Sequence, residues 1–573
     1  MAFLKAKTIH GQTYWYVAES KRVGKRVKTL NVAYLGKADD LLARLEGAST
    51  ARERLKSFSH GGVAVLLSLA NQLGLVDLID RHVPAKDKVR SVRRMLSVGQ
   101  TLVLAAVGRA LHPTSKRGWA AWAKTTTLGH LCKVEPDKVT SQFFWDQMDC
   151  LPSDALASVQ AELGRRVLKG FGVRADSLFY DTTNFYTFID SRNTRCDLPQ
   201  RGKNKQKRND LRQFQLGLLV AQDGWVPLMA KLFRGNHNDV TTFPEALDAI
   251  VAQCGELDIA PNQVTVVCDK GNLSKRNWGL LDASTLGHVV SLVPSHYKQW
   301  TQRPLKDFDA LYDTERGQVR CLRGEAHMAG KTRTVIALDS PTLRHGQLRG
   351  LQQQLRKPLF ALAHLAHALA TATRRRREEV IERQLKRILR PANIARLITY
   401  KVIQQKNKPG YWRLEWDMNM DAYLHLRDRV FGRRLLATDR EGWATSDIID
   451  AYWGQSEAEL VFRHLKAPEF LALRPQYHWT DQKIQVHSLC CVIGYLLAAL
   501  VRRRARQLGY AQGMDALLNM LNEIRMVLRK EKRDRPGRPR ITWQLEEAEP
   551  AAMRLYQEFV THKYNLGPTS KNR

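Results

Sequence analysis

The spacing of the apolar residues changes near Asp176, and this change limits the possible folds more than any other feature of the chain. From about residue 61 to residue 170 the apolar side chains recur every three or four positions, which is the period of an amphipathic helix. After residue 176 they recur at every second position, as in Phe214, Leu216 and Leu218, which is the period of a strand with one buried face. The chain is therefore predicted to contain a helical block followed by a mixed α/β structure.

The elements after Asp176 are predicted in a defined order. Strand patterns alternate with turn and helix signals, and along the chain they follow the order β-β-β-α-β-α-β. The predicted elements are strands at 178–180, 214–220 and 226–232, a helix at about 242–254, a strand at 264–267, a helix at about 274–281 and a strand at 289–293. This order is typical of an α/β, RNase H-like core, in which a mixed five-stranded sheet has flanking helices.

The rest of the chain is predicted to form further domains around this core. Aromatic and β-branched residues near Tyr14 indicate strands, whereas the pattern between the two parts of the core is mixed. From Arg529 onward the chain is basic and contains prolines, so it is expected to lack regular structure. The predicted domains are a small N-terminal β unit (1–50), a helical DNA-binding domain (51–172), the first part of the core (173–294), an insertion domain (295–432), the second part of the core with the helix of Glu459 (433–510) and a basic C-terminal region (511–573).

The charge balance predicts a polyanionic partner. The chain has 91 Lys and Arg residues against 56 Asp and Glu residues, a formal net charge of +35. Nucleic acid is the commonest partner of so basic a folded chain, although a ribosomal or membrane-surface role fits the same composition. The longest apolar run, Leu489 to Val501, is shorter than the ~18 residues of a membrane span. With no secretory signal and no C-x-x-C pair, the sequence predicts a soluble intracellular chain with reduced thiols.

Two aspartates each follow an apolar strand of the predicted core at its carboxyl end. Asp181 follows the strand at 178–180, and Asp269 follows the strand at 264–267. The first and fourth strands are neighbours in the predicted order, so the two carboxylates are expected side by side. Paired carboxylates repel each other unless a cation lies between them, and two divalent ions held by carboxylates cleave phosphodiester bonds. The pair therefore indicates a metal-dependent site.

The helix predicted to return to the core carries polar side chains along one face. At about 100° per residue, Tyr452, Gln455, Glu459 and Lys466 fall within a stripe about 60° wide, and Arg463 joins its edge. An aromatic hydroxyl, an amide, a carboxylate and two cations suit a surface that faces a phosphate backbone. The alternative interpretation is a solvated helix face with an ion pair between Glu459 and Arg463.

This stripe resembles the signature Tyr-x2-Arg-x3-Glu-x6-Lys of one group of DDE transposases from bacterial insertion sequences. The matching residues here are Tyr452, Gln455, Glu459 and Lys466, with Asp181 and Asp269 in the places of the family's two aspartates. One position departs from the signature, since Gln455 stands where the family has arginine. An amide brings neither the charge nor the two-pronged fork of a guanidinium. The departure is compatible with weaker binding to the transposon end, with compensation by Arg463, or with a copy of the enzyme that has lost activity through mutation.

The resemblance implies a function and a set of partners. It implies an RNase H-like transposase that performs cut-and-paste transposition with two Mg²⁺ (or Mn²⁺) ions per active site, held by the catalytic residues Asp181, Asp269 and Glu459. It implies binding to double-stranded DNA, as transposon ends and as target, by a homodimer in the synaptic complex. It implies a cytoplasmic, nucleoid-associated protein of a prokaryote, without a membrane partner. The predicted DNA-binding residues are Tyr452, Gln455, Arg463, Lys466, Lys203, Lys205, Lys207, Arg208, Arg212 and Arg474.

Two other functions stay open on the sequence. A metal-dependent nuclease with the same fold would hydrolyse DNA without strand transfer, although it would need neither the stripe nor the long insertion between Asp269 and Glu459. A non-catalytic DNA-binding protein or repressor would use the basic surface and would not depend on the carboxylates.

Overall fold

A computed structural model describes residues 2–23, 26–45, 53–87, 95–202, 208–308, 310–313, 317–474, 476–531, 540–560 and 564. The strands are β1 (Ala2–Ile9), β2 (Gln12–Val23), β3 (Arg26–Lys37), β4 (Glu53–Ser59), β5 (Ser177–Tyr186), β6 (Gln200–Arg201), β7 (Arg212–Ala221), β8 (Val226–Arg234), β9 (Thr265–Cys268), β10 (Gly287–Ser291), β11 (Ala310–Tyr312), β12 (Val319–Met328), β13 (Lys331–Asp339), β14 (Ile398–Gln404), β15 (Trp412–Met418), β16 (Arg433–Thr438), β17 (Arg525–Glu531) and β18 (Arg540–Leu545). The helices are α1 (Ala38–Leu45), α2 (Gly61–Gln72), α3 (Leu75–Arg81), α4 (Val98–Leu111), α5 (Lys116–Ala123), α6 (Leu128–Leu131), α7 (Ser141–Asp149), α8 (Ala155–Phe171), α9 (Asp239–Glu256), α10 (Lys275–Ala283), α11 (Lys298–Thr301), α12 (Pro341–Ala370), α13 (Glu378–Ile388), α14 (Ala392–Ala395), α15 (Met420–His425), α16 (Thr445–Lys466), α17 (Asp481–Gln507), α18 (Met514–Asn522) and α19 (Pro550–Phe559).

The smaller of two compact units combines both ends of the chain, residues 1–72, 114–144 and 511–573. β1, β2 and β3 form an antiparallel sheet at the N-terminus, where a small β unit was predicted. In a second sheet β17 lies between β4 and β18 and is antiparallel to both. The prediction of an irregular tail after Arg529 is therefore wrong for β18 and α19. Helix α19 forms because Leu555 and Phe559, one helical turn apart, are buried.

The larger unit, residues 73–113 and 145–510, contains a mixed sheet. Within the described residues this sheet has ten strands in the order β11-β12-β13-β16-β10-β9-β5-β7-β6, with β8 paired to β7. The predicted order of elements is confirmed, with the two-residue β6 added. β5, β9 and β10 are parallel, whereas β7 and β8 follow as antiparallel neighbours of β5.

The sheet has ten strands where five were predicted, because β16 has partners on both sides. It is antiparallel to β10 on one side and to β13 on the other. β11, β12 and β13, which belong to the predicted insertion domain, therefore extend the same sheet. The rest of that segment has its own core, in which Leu362 of α12, Leu385 of α13 and Leu414 of β15 are buried.

Helix α16 packs on the face of the sheet formed by β5, β9 and β10. Its Ile448 and Ile449 share a core with Phe179 and other apolar strand residues. At Gly454 the helix approaches the sheet closely, since a Cβ there would lie 2.4 Å from Cζ of Phe179 and 3.0 Å from the ring of Trp225. This packing places the polar residues of α16 over the carboxyl ends of the parallel strands.

Helix α17 is the core helix of the larger unit. It is long and apolar enough to cross a membrane by length and composition, but 94% of its apolar window is buried inside the protein. It packs against α4, and the cysteines Cys490 and Cys491 lie in its buried face. All eight cysteines are free thiols, as the sequence predicted.

Candidate active site

Asp181 and Asp269 lie at matching positions on neighbouring parallel strands. The register pairs Phe179 of β5 with Val267 of β9, and each aspartate follows two residues later in extended backbone. Side chains two residues apart share a face, and paired strands lie about 4.8 Å apart, so the register places the two aspartates side by side. Burial, together with the negative charges of Asp269 and Asp181, raises the pKa of the Cys268 thiol to about 12.

Ser291 orients the carboxylate of Asp269. Its hydroxyl, at the end of β10, donates a hydrogen bond of 2.6 Å to Oδ1 of Asp269 and accepts one of 3.2 Å from the backbone N–H of Lys270. The serine is buried, so water does not compete for its hydroxyl. The strand of Asp181 does not end at Tyr180, as predicted, but continues to Tyr186, so Asp181 lies within β5. Asp181, Asp269 just after β9 and Ser291 at the end of β10 lie in one row across three adjacent parallel strands.

A cleft of about 410 Å³ opens beside this row. Its walls come from the ends of β9 and β10, from the start of β16, from α16 and from the start of α12. Its polar and charged lining residues are Asp269, Glu459, Lys270, Arg433, Arg434, Ser291, Gln347, Tyr452 and Gln455. The Arg433 side chain is fully buried, with its guanidinium 3.3 Å from the carboxylate of Asp339, so two carboxylates and the two cations Lys270 and Arg434 face the cleft. This combination suits a phosphate group accompanied by metal ions.

The predicted stripe on α16 is divided between the core and the cleft. The ring of Tyr452 belongs to the core beneath the helix, while its hydroxyl accepts a hydrogen bond of 2.6 Å from Nη1 of Arg434. Gln455 is buried and lines the cleft, whereas Glu459 is exposed at its wall. Arg463 is exposed one turn further along the helix.

Lys466 reaches the sheet close to Asp181. Its ammonium donates a hydrogen bond to the hydroxyl of Thr183 and lies 5.5 Å from the centre of the Phe185 ring. Thr183 and Asp181 are two residues apart on β5 and so share a face of the sheet. Arg474 donates a hydrogen bond of 3.0 Å to the carbonyl of Lys466. Positive charge therefore continues from the carboxylates toward the end of β5.

Two further predicted DNA contacts, Arg208 and Arg212, lie near the start of β7. The predicted contacts Lys203, Lys205 and Lys207 lie outside the described residues. Arg208 is exposed and donates two hydrogen bonds, of 2.9 and 2.8 Å, to Asp210. Arg212 donates to the carbonyls of Asn193 and Ser191 at 2.8 and 2.7 Å, so its guanidinium holds a loop in place.

The donor set fits Mg²⁺ by its chemistry. Among the described residues no group of three or more His, Cys, Asp or Glu side chains is arranged to hold a metal ion. Asp269 and Glu459 nevertheless face one cleft, and Asp181 lies beside Asp269. Mg²⁺ usually takes one or two carboxylates together with waters and substrate phosphates, and it seldom uses an all-protein cage. These residues can hold it in that manner.

Three groups near the site were missed by sequence reasoning. Ser291 lies within the predicted strand at 289–293, and Arg434 directly precedes the apolar run from Leu435 to Ala437, so both positions carried a signal. The third is Asp239 at the start of α9, which accepts hydrogen bonds of 2.5 Å from the Thr182 hydroxyl and the Gln215 amide. A helix N-terminus favours a carboxylate, and this signal could have identified Asp239.

No protein-family model matches the chain, and no curated protein sequence matches it either. Among solved structures the chain is similar to a cryo-EM structure described as a piggyBac transposase synaptic complex with hairpin DNA. The similarity has a TM-score of 0.36 at 8% sequence identity, and it covers 81% of this chain and 80% of that chain. A TM-score of 0.36 is too low to assign a shared fold.

Proposed function

We propose that this chain is a DDE transposase that moves an insertion sequence by cutting DNA and joining the cut end to a target. The observation that carries the proposal is the placement of the three carboxylates: Asp181 beside Asp269 in register, and Glu459 on the cleft that Asp269 lines. The strand order β8-β7-β5-β9-β10, with the last three parallel, supports an RNase H-like core.

In this proposal Asp181, Asp269 and Glu459 hold two Mg²⁺ or Mn²⁺ ions. Two such ions activate the attacking oxygen and stabilise the leaving oxygen of a phosphodiester. Ser291 keeps the Asp269 carboxylate oriented through its 2.6 Å hydrogen bond. Arg434 supplies a guanidinium to the cleft that Gln455 lines, and so it offsets the arginine missing from the helix signature.

The DNA is held by the cations around the carboxylates. Lys270 and Arg434 contact the phosphate in the cleft, and Lys466 and Arg474 contact the backbone along β5. The partners in this proposal are the two ends of the element and a target duplex, with two copies of the chain in the synaptic complex, each acting at one end. The enzyme works on DNA in the prokaryotic cytoplasm.

The test compares wild-type protein with Asp269→Asn and with the exposed control Asp248→Asn. DNA that flanks the gene and carries its inverted repeats is incubated with each protein and Mg²⁺, and a pre-cut end is offered with a target plasmid. Wild type and Asp248→Asn should cut and join, whereas Asp269→Asn should bind the same DNA and do neither. Cutting by Asp269→Asn would refute the proposal. Cutting without joining by wild type would favour the nuclease, and binding alone would favour the non-catalytic protein.

A further inference from the structure

Aromatic and basic side chains gather on the surface where β5 ends. The group, called here the aromatic–arginine surface, consists of Tyr186, Phe188, Tyr477, Trp479, Arg195, Arg208 and Arg474. Phe188 is 44% exposed, Tyr477 is 55% exposed and Trp479 is 37% exposed. Several large rings left open to water within one small area indicate a binding surface.

Three of the rings contact one another in succession, and guanidinium groups lie against two of the rings of this surface. Tyr186 and Phe188 have ring centres 5.6 Å apart, and Phe188 and Tyr477 have ring centres 5.5 Å apart. The guanidinium of Arg474 lies 4.3 Å from the centre of the Tyr186 ring, and that of Arg195 lies 4.9 Å from the Trp479 ring. Flat rings with guanidinium groups beside them are the components with which proteins bind single nucleic-acid strands.

Hydrogen bonds hold the two loops of this surface together. The backbone N–H of Phe188 donates to the carbonyl of Gln476 at 2.9 Å, and the Asn193 amide donates to the carbonyl of Trp479 at 2.8 Å. Arg212 fixes the first loop through its bonds to backbone carbonyls. The surface is therefore formed before any ligand arrives, which lowers the entropy cost of binding.

Two other tryptophans of the larger unit, Trp300 and Trp412, make contacts within the protein. The indole N–H of Trp412 donates to the carbonyl of Arg376 at 2.9 Å, and its ring packs on the core of α12 and α13. The ring of Trp300 covers Gly324, where a Cβ would lie 2.5 Å from it. Both are structural, so stacking of a base is better supported at the aromatic–arginine surface.

We infer that the aromatic–arginine surface binds unpaired bases of a DNA strand that leaves the candidate active site. The assignment of this strand to a cut element end rests on the proposed function. Tyr186 ends β5 five residues after Asp181, so its backbone lies roughly 17 Å farther along the strand at about 3.3 Å per residue. The odd separation directs the Tyr186 side chain to the other face of the strand, and Arg474 connects the two places, since it donates to the Lys466 carbonyl and lies on the Tyr186 ring. At the 3.4 Å spacing of a stacked strand, the length corresponds to about five nucleotides. Lys466 and Arg474 lie along this path and bind the phosphates between the two places.

The test measures binding of full-length protein to a fluorescent single strand and to the same sequence as duplex. The double variant Phe188→Ala/Tyr477→Ala should bind the single strand at least about 10-fold more weakly and the duplex as wild type does. Phe360→Ala removes a ring that is 75% exposed on α12 and is the matched control, which should change neither affinity. A 2-aminopurine base five positions from the 3′ end should be quenched by wild type and not by the double variant.

The conservative double variant Phe188→Tyr/Tyr477→Phe keeps both rings and should restore single-strand binding. Failure of this rescue, or unchanged binding by the alanine variant, would overturn the inference. Tighter binding of the same sequence as single-stranded RNA would also overturn the inference. So would an alanine variant that loses self-association but still binds single-stranded DNA. If ring-dependent binding occurs in a protein that never cuts DNA, the inference stands and the proposed function fails. If wild type cuts and joins while the alanine variant binds unpaired DNA normally, the inference fails alone.

Discussion

Replacement of Gly454 by alanine should reduce DNA cleavage far more than it reduces stability. The new Cβ would lie 2.4 Å from Cζ of Phe179 and 3.0 Å from the ring of Trp225. Carbon atoms in contact are normally about 3.5–4.0 Å apart, so α16 and the sheet must separate by roughly 1 Å. Phe179 is 1% exposed and its ring centre lies 5.3 Å from that of Trp225. Because the Phe179 ring has no space to move into, the backbone of α16 has to shift.

The effects on stability oppose each other. Overpacking of a core costs about 1–3 kcal/mol, whereas alanine in place of a helical glycine gains roughly 0.5–1 kcal/mol. The net loss is therefore about 0–2.5 kcal/mol. The cleavage rate has no compensating gain. Glu459 lies on the same helix five residues after Gly454, so a displacement of α16 also displaces Glu459. A displacement of about 1 Å can lower a rate by roughly 100-fold.

The assay combines thermal unfolding with single-turnover cleavage of a DNA substrate. Gly279→Ala is the control, because Gly279 also lies in a helix but an added Cβ meets nothing within 4 Å. The control should melt at the same or a higher temperature and cleave normally. If the Gly454→Ala variant cleaves DNA at the wild-type rate, the packing of α16 on the sheet does not position Glu459.

Three further perturbations have defined outcomes. Ser291→Ala should keep DNA affinity but lower the rate of single-turnover cleavage by roughly 10- to 100-fold. The reason is that a hydrogen bond to a charged carboxylate such as Asp269 contributes about 1.5–3 kcal/mol. An unchanged cleavage rate would exclude a positioning role for Ser291. Arg434→Gln should weaken DNA binding and make it less salt-dependent, as followed by fluorescence anisotropy across a salt series, and an identical slope would place Arg434 away from the phosphates. Burial lowers the pKa of His60 from 6.5 to about 4. The folded protein therefore favours neutral His60, and this contribution to the free energy of unfolding is complete above pH 6.5. As the pH falls toward 4 the contribution is lost, and the loss is at most roughly 3 kcal/mol. Melting of wild type and His60→Gln over this range should show a flatter pH dependence for the variant, and parallel curves would contradict the assignment.

The order of elements in the core could be predicted because each strand carries its own period. The alternation through Phe214, Leu216 and Leu218 predicted a strand at 214–220, and β7 contains it, although β7 begins two residues earlier, ends one residue later and is buried on both faces. The width of the sheet could not be predicted in this way. The width depends on the pairing of β16 with β13, which joins residues about a hundred positions apart. Such a long-range pairing leaves no local pattern in the sequence.

The same distinction applies to the candidate site. A helical period correctly placed Tyr452, Gln455 and Glu459 on one side of α16, but it did not reveal that the Tyr452 ring would be covered by the sheet. The partnership of Arg434 with the Tyr452 hydroxyl depends on the register of β16 against β10, which is a tertiary property. Asp181 and Asp269 remain a prediction as catalytic residues, now with a defined placement.

The pairing of β4 with β17 has a consequence for how the protein is made. Ser59 at the end of β4 pairs with Arg525 at the start of β17, and the two residues are 466 positions apart (525 − 59). At about 5–20 residues per second, a ribosome needs roughly 25–90 s to synthesise the intervening chain. During that time β4 has emerged without the strand that will pair with it, so nascent chains stalled before residue 525 should be cut by protease near β4, whereas released full-length chains resist. The unpaired edge of β4 is therefore open to proteases and to pairing with other chains until β17 has been made.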